Sequence, residues 1–252
     1  MSVSLANMTR VFSRPESLTE ARFTYCPGCA HGTLTRIIAQ TLDELEIAKR
    51  TVGIAPVGCA VFAYRWYCCD AIQAAHGRAS AVATGVKRAN PNLIVFSYQG
   101  DGDFASIGTA ESLHAANRGE NITVIFVNNQ VYGMTGGEMA PTSLVGQKTT
   151  TTPEGRDPQN LGYPIRFAEV IAQLEAPVYV TRQSTHDVKH IQQTTKAIKK
   201  AFTLQVEGKG YSLVEVLTSC PTNWRMKPAQ ANRHIAEAVT RVFPTGDLVD
   251  RG

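Results

Sequence analysis

The chain has 252 residues, and 43% hydrophobic content is enough apolar material for one large α/β domain or two small ones. Charged residues are sparse at 18%, so partner subunits are expected to cover part of the surface, and the mild net charge of +4 suits anionic ligands or an acidic partner. No basic run argues for nucleic acid, no apolar run reaches a membrane span, and Met1 to Arg22 lacks the apolar middle of a signal peptide. A cytoplasmic protein is expected, whose six cysteines serve as metal ligands or buried thiols rather than disulfides.

Met1 to Arg22 has no clear period and reads as an arm lying on the surface or on another subunit. Tyr25-Cys-Pro-Gly-Cys-Ala-His31 then opens a helix from about Thr33 to Ile47, with Leu34, Ile37, Ile38, Leu42 and Leu45 facing inward. Alone, the Cys-x-x-Cys pair fits a redox dithiol, half a zinc site or half an iron–sulfur site. Thr51 to Ala55 is a strand, with Pro56-Val-Gly-Cys59 after its end. The aromatic run Val61 to Tyr67 is core or subunit interface. In the other reading, Phe62, Tyr64 and Trp66 wall an apolar substrate pocket. Cys68 and Cys69 read as buried thiols, and His76-Gly-Arg78 leads into a helix of small residues around Ala79, Ala81, Ala83 and Gly85.

The centre of the chain is a strand–helix–strand unit. Leu93 to Tyr98 is a strand buried on both faces, Phe104 to Arg118 a helix, and Ile122 to Val127 a second buried strand. A right-handed βαβ crossover puts both strand ends, Gly100-Asp101-Gly102 and Asn128-Asn129, at one edge of a parallel sheet, where open α/β folds bind ligands. Asp101 offers a hard carboxylate and Asn129 a neutral carbonyl, a pair suited to Mg2+ carrying phosphates. Gly100 and Gly102 let the backbone approach a phosphate, and the helix N-terminus favours its charge. Taken singly, each motif is also an ordinary turn.

From Val131 to about Gly162 runs a loop rich in Gly, Thr and Pro, long enough to be a binding loop; within it Thr135, Gly136 and Gly137 offer a hydroxyl and N–H groups. A helix over Arg166–Leu174, a strand over Pro177–Thr181, a helix over His186–Val206, a strand over Tyr211–Leu217 and a helical tail over Ala229–Phe243 follow. Lys196, Lys199 and Lys200 are a solvated face. Without a repeat or linker, residues 1–252 read as a single α/β domain, a mostly parallel sheet flanked by helices. Cys59 and Cys220 both follow strand ends, so they can converge on the Cys26/Cys29 loop; four thiolates suit zinc as well as iron–sulfur.

Gly100-Asp101-Gly102 followed at this interval by Asn128-Asn129 resembles the thiamine-diphosphate motif of thiamine-dependent enzymes. The stretch Gln99 to Asp157, with Tyr132-Gly-Met-Thr-Gly-Gly137, is similar to the β subunit of the 2-oxoacid:ferredoxin oxidoreductases, nearest the branch acting on 2-oxoisovalerate. The likeness runs from about Tyr25 to Trp224 and implies a thiamine-diphosphate-binding fold. It implies that Asp101, Asn129 and the Val131 carbonyl hold Mg2+. It also implies thiamine diphosphate contacts from Cys59, His76, Gly100, Asp101, Gly102, Asp103, Asn129, Val131, Gly133, Met134 and Thr135. Under it His76 and Arg78 are catalytic candidates, His31 is a weaker one, and Cys26, Cys29, Cys59 and Cys220 match the ligands of a 4Fe-4S cluster. The activity implied is oxidative decarboxylation of a 2-oxoacid with coenzyme A to acyl-CoA and CO2, electrons passing through the cluster to ferredoxin. The same chemistry on 2-oxoglutarate or pyruvate is an alternative, as is a non-catalytic cluster- or zinc-binding module.

Thiamine activation needs a carboxylate against the pyrimidine ring, and this chain shows only the diphosphate half-site. Glu111 and Glu138 are the nearby unassigned acids, and Glu111 is poorly placed. The glutamate is therefore expected from an α subunit, and the resemblance adds γ and small ferredoxin-like subunits.

Overall fold

The computed structural model describes residues 12–252; the rest of the expected N-terminal arm lies outside the described residues. Its described part packs on the chain itself. Thr19 N–H donates to the Trp66 carbonyl at 2.9 Å, Cys68 N–H to that of Ser17 at 2.9 Å, and Ser17 N–H to Asp43 Oδ1 at 3.0 Å.

α1 (His31–Glu44) buries Leu34, Ile37, Ile38 and Leu42, the stripe its apolar spacing predicts. There follow β1 (Thr51–Ala55), β2 (Asp70–Gln73), α2 (Ala79–Ala89), β3 (Ile94–Gly100), α3 (Thr109–Asn117) and β4 (Thr123–Asn128). β5 (Val131–Tyr132) and β6 (Glu138–Met139) form a small antiparallel pair. Then come α4 (Pro158–Leu161), α5 (Phe167–Ala172), β7 (Tyr179–Ser184), α6 (Val188–Val206), β8 (Ser212–Leu217), α7 (Pro221–Trp224), α8 (Pro228–His234), α9 (Thr240–Val242) and β9 (Gly246–Asp250).

Seven strands make one sheet in the order β2-β1-β3-β4-β8-β7-β9, parallel throughout except β9, which runs antiparallel to β7. One apolar layer joins the sheet to α1 and α6, with Leu34, Ile37, Phe96 and Phe202 at its centre. The other face carries Val95, Phe104, Phe126 and Phe167 against α2, α3 and α5. Each such side chain contributes about 1.5–3 kcal/mol on burial. Gly53 of β1 is a glycine for packing reasons: a Cβ there would meet the Phe96 ring at 3.0 Å.

β2 and β9 carry no usable sequence signal, β2 because it is a four-residue edge strand exposed along its whole length, β9 because it follows the helical tail directly. The helix expected from Phe104 begins instead at Asp101 and opens with a π-turn over Asp103–Ile107, in which Gly108 N–H reaches back to the Asp103 carbonyl at 2.9 Å. Strand β7 lies later than expected, at Tyr179–Ser184, and the tail is interrupted by a second π-turn over Ile235–Val239. Among the described residues no helix is long and apolar enough to cross a membrane.

Candidate functional site

Four neighbouring parallel strands, β1, β3, β4 and β8, end at the same edge of the sheet, and the candidate residues follow those ends. Cys59 follows β1, Asp101 follows β3, Asn129 and Val131 follow β4, and Cys220 follows β8. His76 comes after β2. An open cleft at this edge is lined by His31, Cys59, His76, Gly100, Asp101, Gly102, Asp103, Asn129, Val131, Gly133, Met134 and Thr135, with Val57, Gly58, Ala60 and Tyr132. The structure thus gathers every cofactor-binding candidate named from the sequence into one space.

Asp101 is wholly buried. Its Oδ1 accepts from Gly102 N–H at 2.9 Å, and its Oδ2 from Gln130 N–H at 2.7 Å and the Thr142 hydroxyl at 2.6 Å. Burial nevertheless outweighs these donors and pushes its carboxyl up to about 6. A buried carboxylate left this uncomfortable is what a bound cation relieves, so the residues fit Mg2+. Asn129 and Val131 stand beside it in the cleft wall.

The loop carrying them is rigid. Gln130 adopts a left-handed backbone (φ 59°), and its carbonyl accepts from Ser143 Oγ at 2.5 Å and Gln147 Nε2 at 3.2 Å. Gln130 Nε2 donates to Asn128 Oδ1 at 2.6 Å, and Asn128 Nδ2 donates to Glu215 Oε1 at 2.7 Å. Glu215 in turn meets Arg182 of the adjacent strand at 2.7 Å, both fully buried. Burial pushes the Glu215 carboxyl upward, and the Arg182 guanidinium offsets it. This chain of contacts was missed from the sequence. Its one sequence signal is Glu215 in the middle of the largely apolar β8; Arg182 sits among polar residues in β7.

The two glycines of the central motif do different work. A Cβ at Gly100 would meet nothing within 4 Å, so that backbone is open to a ligand. A Cβ at Gly102 would run into the Tyr132 ring, so the packing of Tyr132 by itself requires a glycine there.

The thiol loops are joined by hydrogen bonds. Ser219 Oγ donates to the Gly28 carbonyl at 3.1 Å, and Asn223 Nδ2 donates to the Gly133 carbonyl at 2.9 Å and faces Cys220 Sγ at 3.3 Å. A side chain at Gly133 would meet the sulfurs of Cys59 and Cys220 at 3.3 and 3.7 Å. Burial, with Cys220, Cys59 and Cys26 acting in the same direction, pushes Cys29 up to about 12; burial and neighbouring Cys220 and Cys26 raise Cys59 to about 11. Trp224 Nε1 donates to the Asn129 carbonyl at 3.1 Å, tying the turn after Cys220 to the cation-side loop.

Other candidates fall outside the cleft. Arg78 is half exposed and paired with Glu111 at 2.8 Å. Phe62, Tyr64 and Trp66 do not line it: Trp66 is buried beneath the Cys-x-x-Cys loop against Phe23 and Tyr25, and Tyr64 is exposed. Gly136 and Gly137 are not in its wall, and Thr135 Oγ1 donates to Glu138 at 2.6 Å. Cys68 is exposed and Cys69 half-buried, so the expectation of two buried thiols fails for Cys68, whose neighbours leave it at the surface.

Residues 56–216 match the family model of the thiamine pyrophosphate enzyme C-terminal TPP-binding domain, which defines the class of the cleft. The chain is 51% identical over 241 residues to ketoisovalerate oxidoreductase subunit VorA of Methanothermobacter thermautotrophicus, covering 96% of this chain and 50% of that protein. It is 35% identical to 2-oxoglutarate synthase subunit KorB of Archaeoglobus fulgidus, covering 86% of this chain and 77% of that one. A solved 2-oxoglutarate:ferredoxin oxidoreductase from Magnetococcus marinus, with 2-oxoglutarate, coenzyme A and succinyl-CoA bound, superposes with a TM-score of 0.77 at 25% identity, covering 98% of this chain and 87% of that one. The chain belongs to the thiamine-diphosphate-binding subunits of the 2-oxoacid:ferredoxin oxidoreductase family. It spans about half the length of the ketoisovalerate oxidoreductase subunits it matches.

Proposed function

We propose that this chain is the β subunit of a 2-oxoacid:ferredoxin oxidoreductase that converts a branched-chain 2-oxoacid, 2-oxoisovalerate, with coenzyme A to acyl-CoA and CO2. The observation that carries the reading is the wholly buried Asp101 carboxylate, facing the same cleft as Asn129, Val131 and Cys59. Asp101, Asn129 and the Val131 carbonyl would hold Mg2+, and the open backbone at Gly100 would receive the diphosphate. Bound thiamine diphosphate supplies the carbanion chemistry of decarboxylation. The residues of this chain orient it, exclude water and hold a proton at His76. Arg78, paired with Glu111 at 2.8 Å, is the second candidate for contact with the cofactor or substrate.

Cys26, Cys29, Cys59 and Cys220 would ligate a 4Fe-4S cluster. Ser219 Oγ joins the Cys220 loop to the Cys-x-x-Cys loop at the Gly28 carbonyl, and Gly133 stands against the sulfurs of Cys59 and Cys220, so the four thiolates are brought toward one place, as a cluster needs. Ferredoxin is the electron acceptor that goes with it.

The cleft wall contains no Lys or Arg, and so offers no fixed cation to a second, distal carboxylate. That favours an apolar 2-oxoacid over 2-oxoglutarate, as does the higher identity to the ketoisovalerate relative. Glu111 is occupied by Arg78 and Glu138 by Thr135, and neither lines the cleft. The pyrimidine-side glutamate therefore belongs to an α subunit, with γ and small ferredoxin-like subunits completing a complex. The test is coenzyme-A-dependent dye reduction by the anaerobically purified complex: kcat/KM on 2-oxoisovalerate should exceed that on 2-oxoglutarate, and this chain alone should not turn over. The opposite preference would reject the substrate, and turnover by the lone chain would reject the divided site.

A further inference from the structure

We propose that His186, Asp187 and His190, at the turn between β7 and α6, form a site for a divalent transition-metal ion of the Zn2+ type, separate from the cofactor cleft and from the four clustered thiols. Among the described residues, this is the only trio of His, Cys, Asp or Glu side chains in which one ligand atom from each lies within 4.8 Å of the other two. The rings of His186 and His190 lie 4.0 Å apart, tilted by 35°.

The hydrogen bonds around the trio fix which atoms are free. Asp187 caps α6: its Oδ1 accepts from His190 N–H at 2.8 Å and from His190 Nδ1 at 2.7 Å. His186 Nδ1 lies 2.7 Å from Ser184 Oγ, and that hydroxyl also reaches the Leu217 carbonyl at 3.4 Å. In the tautomer with Nδ1–H toward Ser184, Ser184 Oγ accepts from His186 and donates to the Leu217 carbonyl. Metal binding selects that tautomer: both imidazoles then have Nδ1–H tied to an oxygen and Nε2 free to ligate, the arrangement that orients metal-ligating histidines. Ser184 itself is fully buried in β7, so the supporting oxygen is not free to move.

Helix capping explains the His190 contact but not His186, whose Nε2 stands 3.5 Å from Asp187 Oδ2. A proton on Nε2 or a cation can stand between these two atoms. With metal–ligand bonds of about 2.0–2.2 Å, two donors of a tetrahedral Zn2+ stand roughly 3.4 Å apart, which is the spacing already present. Two imidazoles and one carboxylate leave a fourth position for water. Such an ion would fasten the end of β7 to the first turn of α6.

The test uses Co2+ as the probe, titrated anaerobically into the purified complex with its thiols already occupied. One equivalent per chain should bind, giving weak ligand-field absorption without a sulfur-to-metal charge-transfer band. His186→Gln and Asp187→Asn should each weaken binding about tenfold or more. Asn is as good a helix N-cap as Asp, so Asp187→Asn should keep the Tm of the metal-free protein and report on the ion alone. No saturable site, a sulfur charge-transfer band on the added equivalent, or unchanged affinity in both variants would overturn the assignment.

Discussion

His76 Nδ1 lies 2.7 Å from Asp103 Oδ1, and Asp103 is buried with both oxygens filled by donors from its own chain. Oδ1 also accepts from Gly77 N–H at 2.8 Å, and Oδ2 from Gln99 Nε2 at 2.6 Å. An oxygen that only accepts requires His76 Nδ1 to carry the proton, which leaves Nε2 for the cleft. The π-turn that starts at Asp103 and the contact of Gly77 with Gly108, where a Cβ on either residue would lie about 2.5 Å from the other's backbone, set this geometry. Asp103 therefore positions His76.

Asp103→Asn keeps the shape but places an amide where an acceptor is needed. With His76 handling a proton at Nε2, kcat should fall by about 10²-fold or more, with KM for the 2-oxoacid little changed. Nitrogen-15 spectra of the histidine rings should show His76 leaving the Nδ1–H tautomer. A variant with normal kcat and an unchanged tautomer would rule out the positioning role.

Asp101 holds more of the fold together than a strand-end loop residue would suggest. Asp101→Ala strands Gly102 N–H, Gln130 N–H and the Thr142 hydroxyl, at about 1–3 kcal/mol for each buried donor left unpaired. Urea unfolding of the cofactor-free chain should register that loss together with the loss of thiamine diphosphate retention in the presence of Mg2+. Thr142→Val removes one of the three donors along with its bond, and should cost less in stability while retaining the cofactor.

The thiols make a comparison within one chain. Cys220 sits among the hydrogen bonds that join the two cysteine loops, whereas Cys69 is bonded elsewhere, beside Gly53. Cys220→Ser should lose most of the iron and sulfide of the anaerobically purified protein, and Cys69→Ser should keep both. Equal iron in the two variants, or zinc in place of iron in the wild type, would remove the cluster from the account.

Much of this site was legible because strand ends in a parallel sheet are fixed by the order of the elements. Gly100 to Gly102 and Asn128-Asn129 each follow a buried apolar run, so their meeting follows from one βαβ crossover. Cys59 and Cys220 are legible for the same reason. Side-chain direction is a different matter. Nothing in the spacing says that Arg78 turns to Glu111, that Trp66 packs against Phe23 and Tyr25, or that Asp103 meets His76. Those outcomes depend on a π-turn and on contacts between residues far apart in sequence. The buried Arg182–Glu215 pair was hidden for a related reason: Glu215 looks like a single polar interruption and Arg182 like one polar residue among several, until the strand register sets them side by side.

His31 gives the chain a pH dependence of definite sign. It is wholly buried, its Nδ1 lies 2.5 Å from the Tyr98 hydroxyl, and burial lowers its pKa to about 4 from an unfolded value of 6.5. Folding is thus favoured with the ring neutral. The unfolded chain takes up the proton as pH drops below 6.5, and the folded chain does so only near 4. The contribution is fully present above pH 6.5 and is lost as pH falls toward 4, by roughly 3 kcal/mol at the limit. Asp101 works in the opposite sense over part of this range, because its raised carboxyl favours the folded state as pH falls through 6. The two are separated by difference: urea midpoints of wild type and His31→Gln are measured from pH 7 to 4.5. The His31→Gln variant should be less stable at pH 7, where a well-packed ring has been lost, and the gap should narrow steadily as the solution is acidified. Parallel curves would mean that His31 is protonated in the folded chain, with its proton held by a group other than Tyr98.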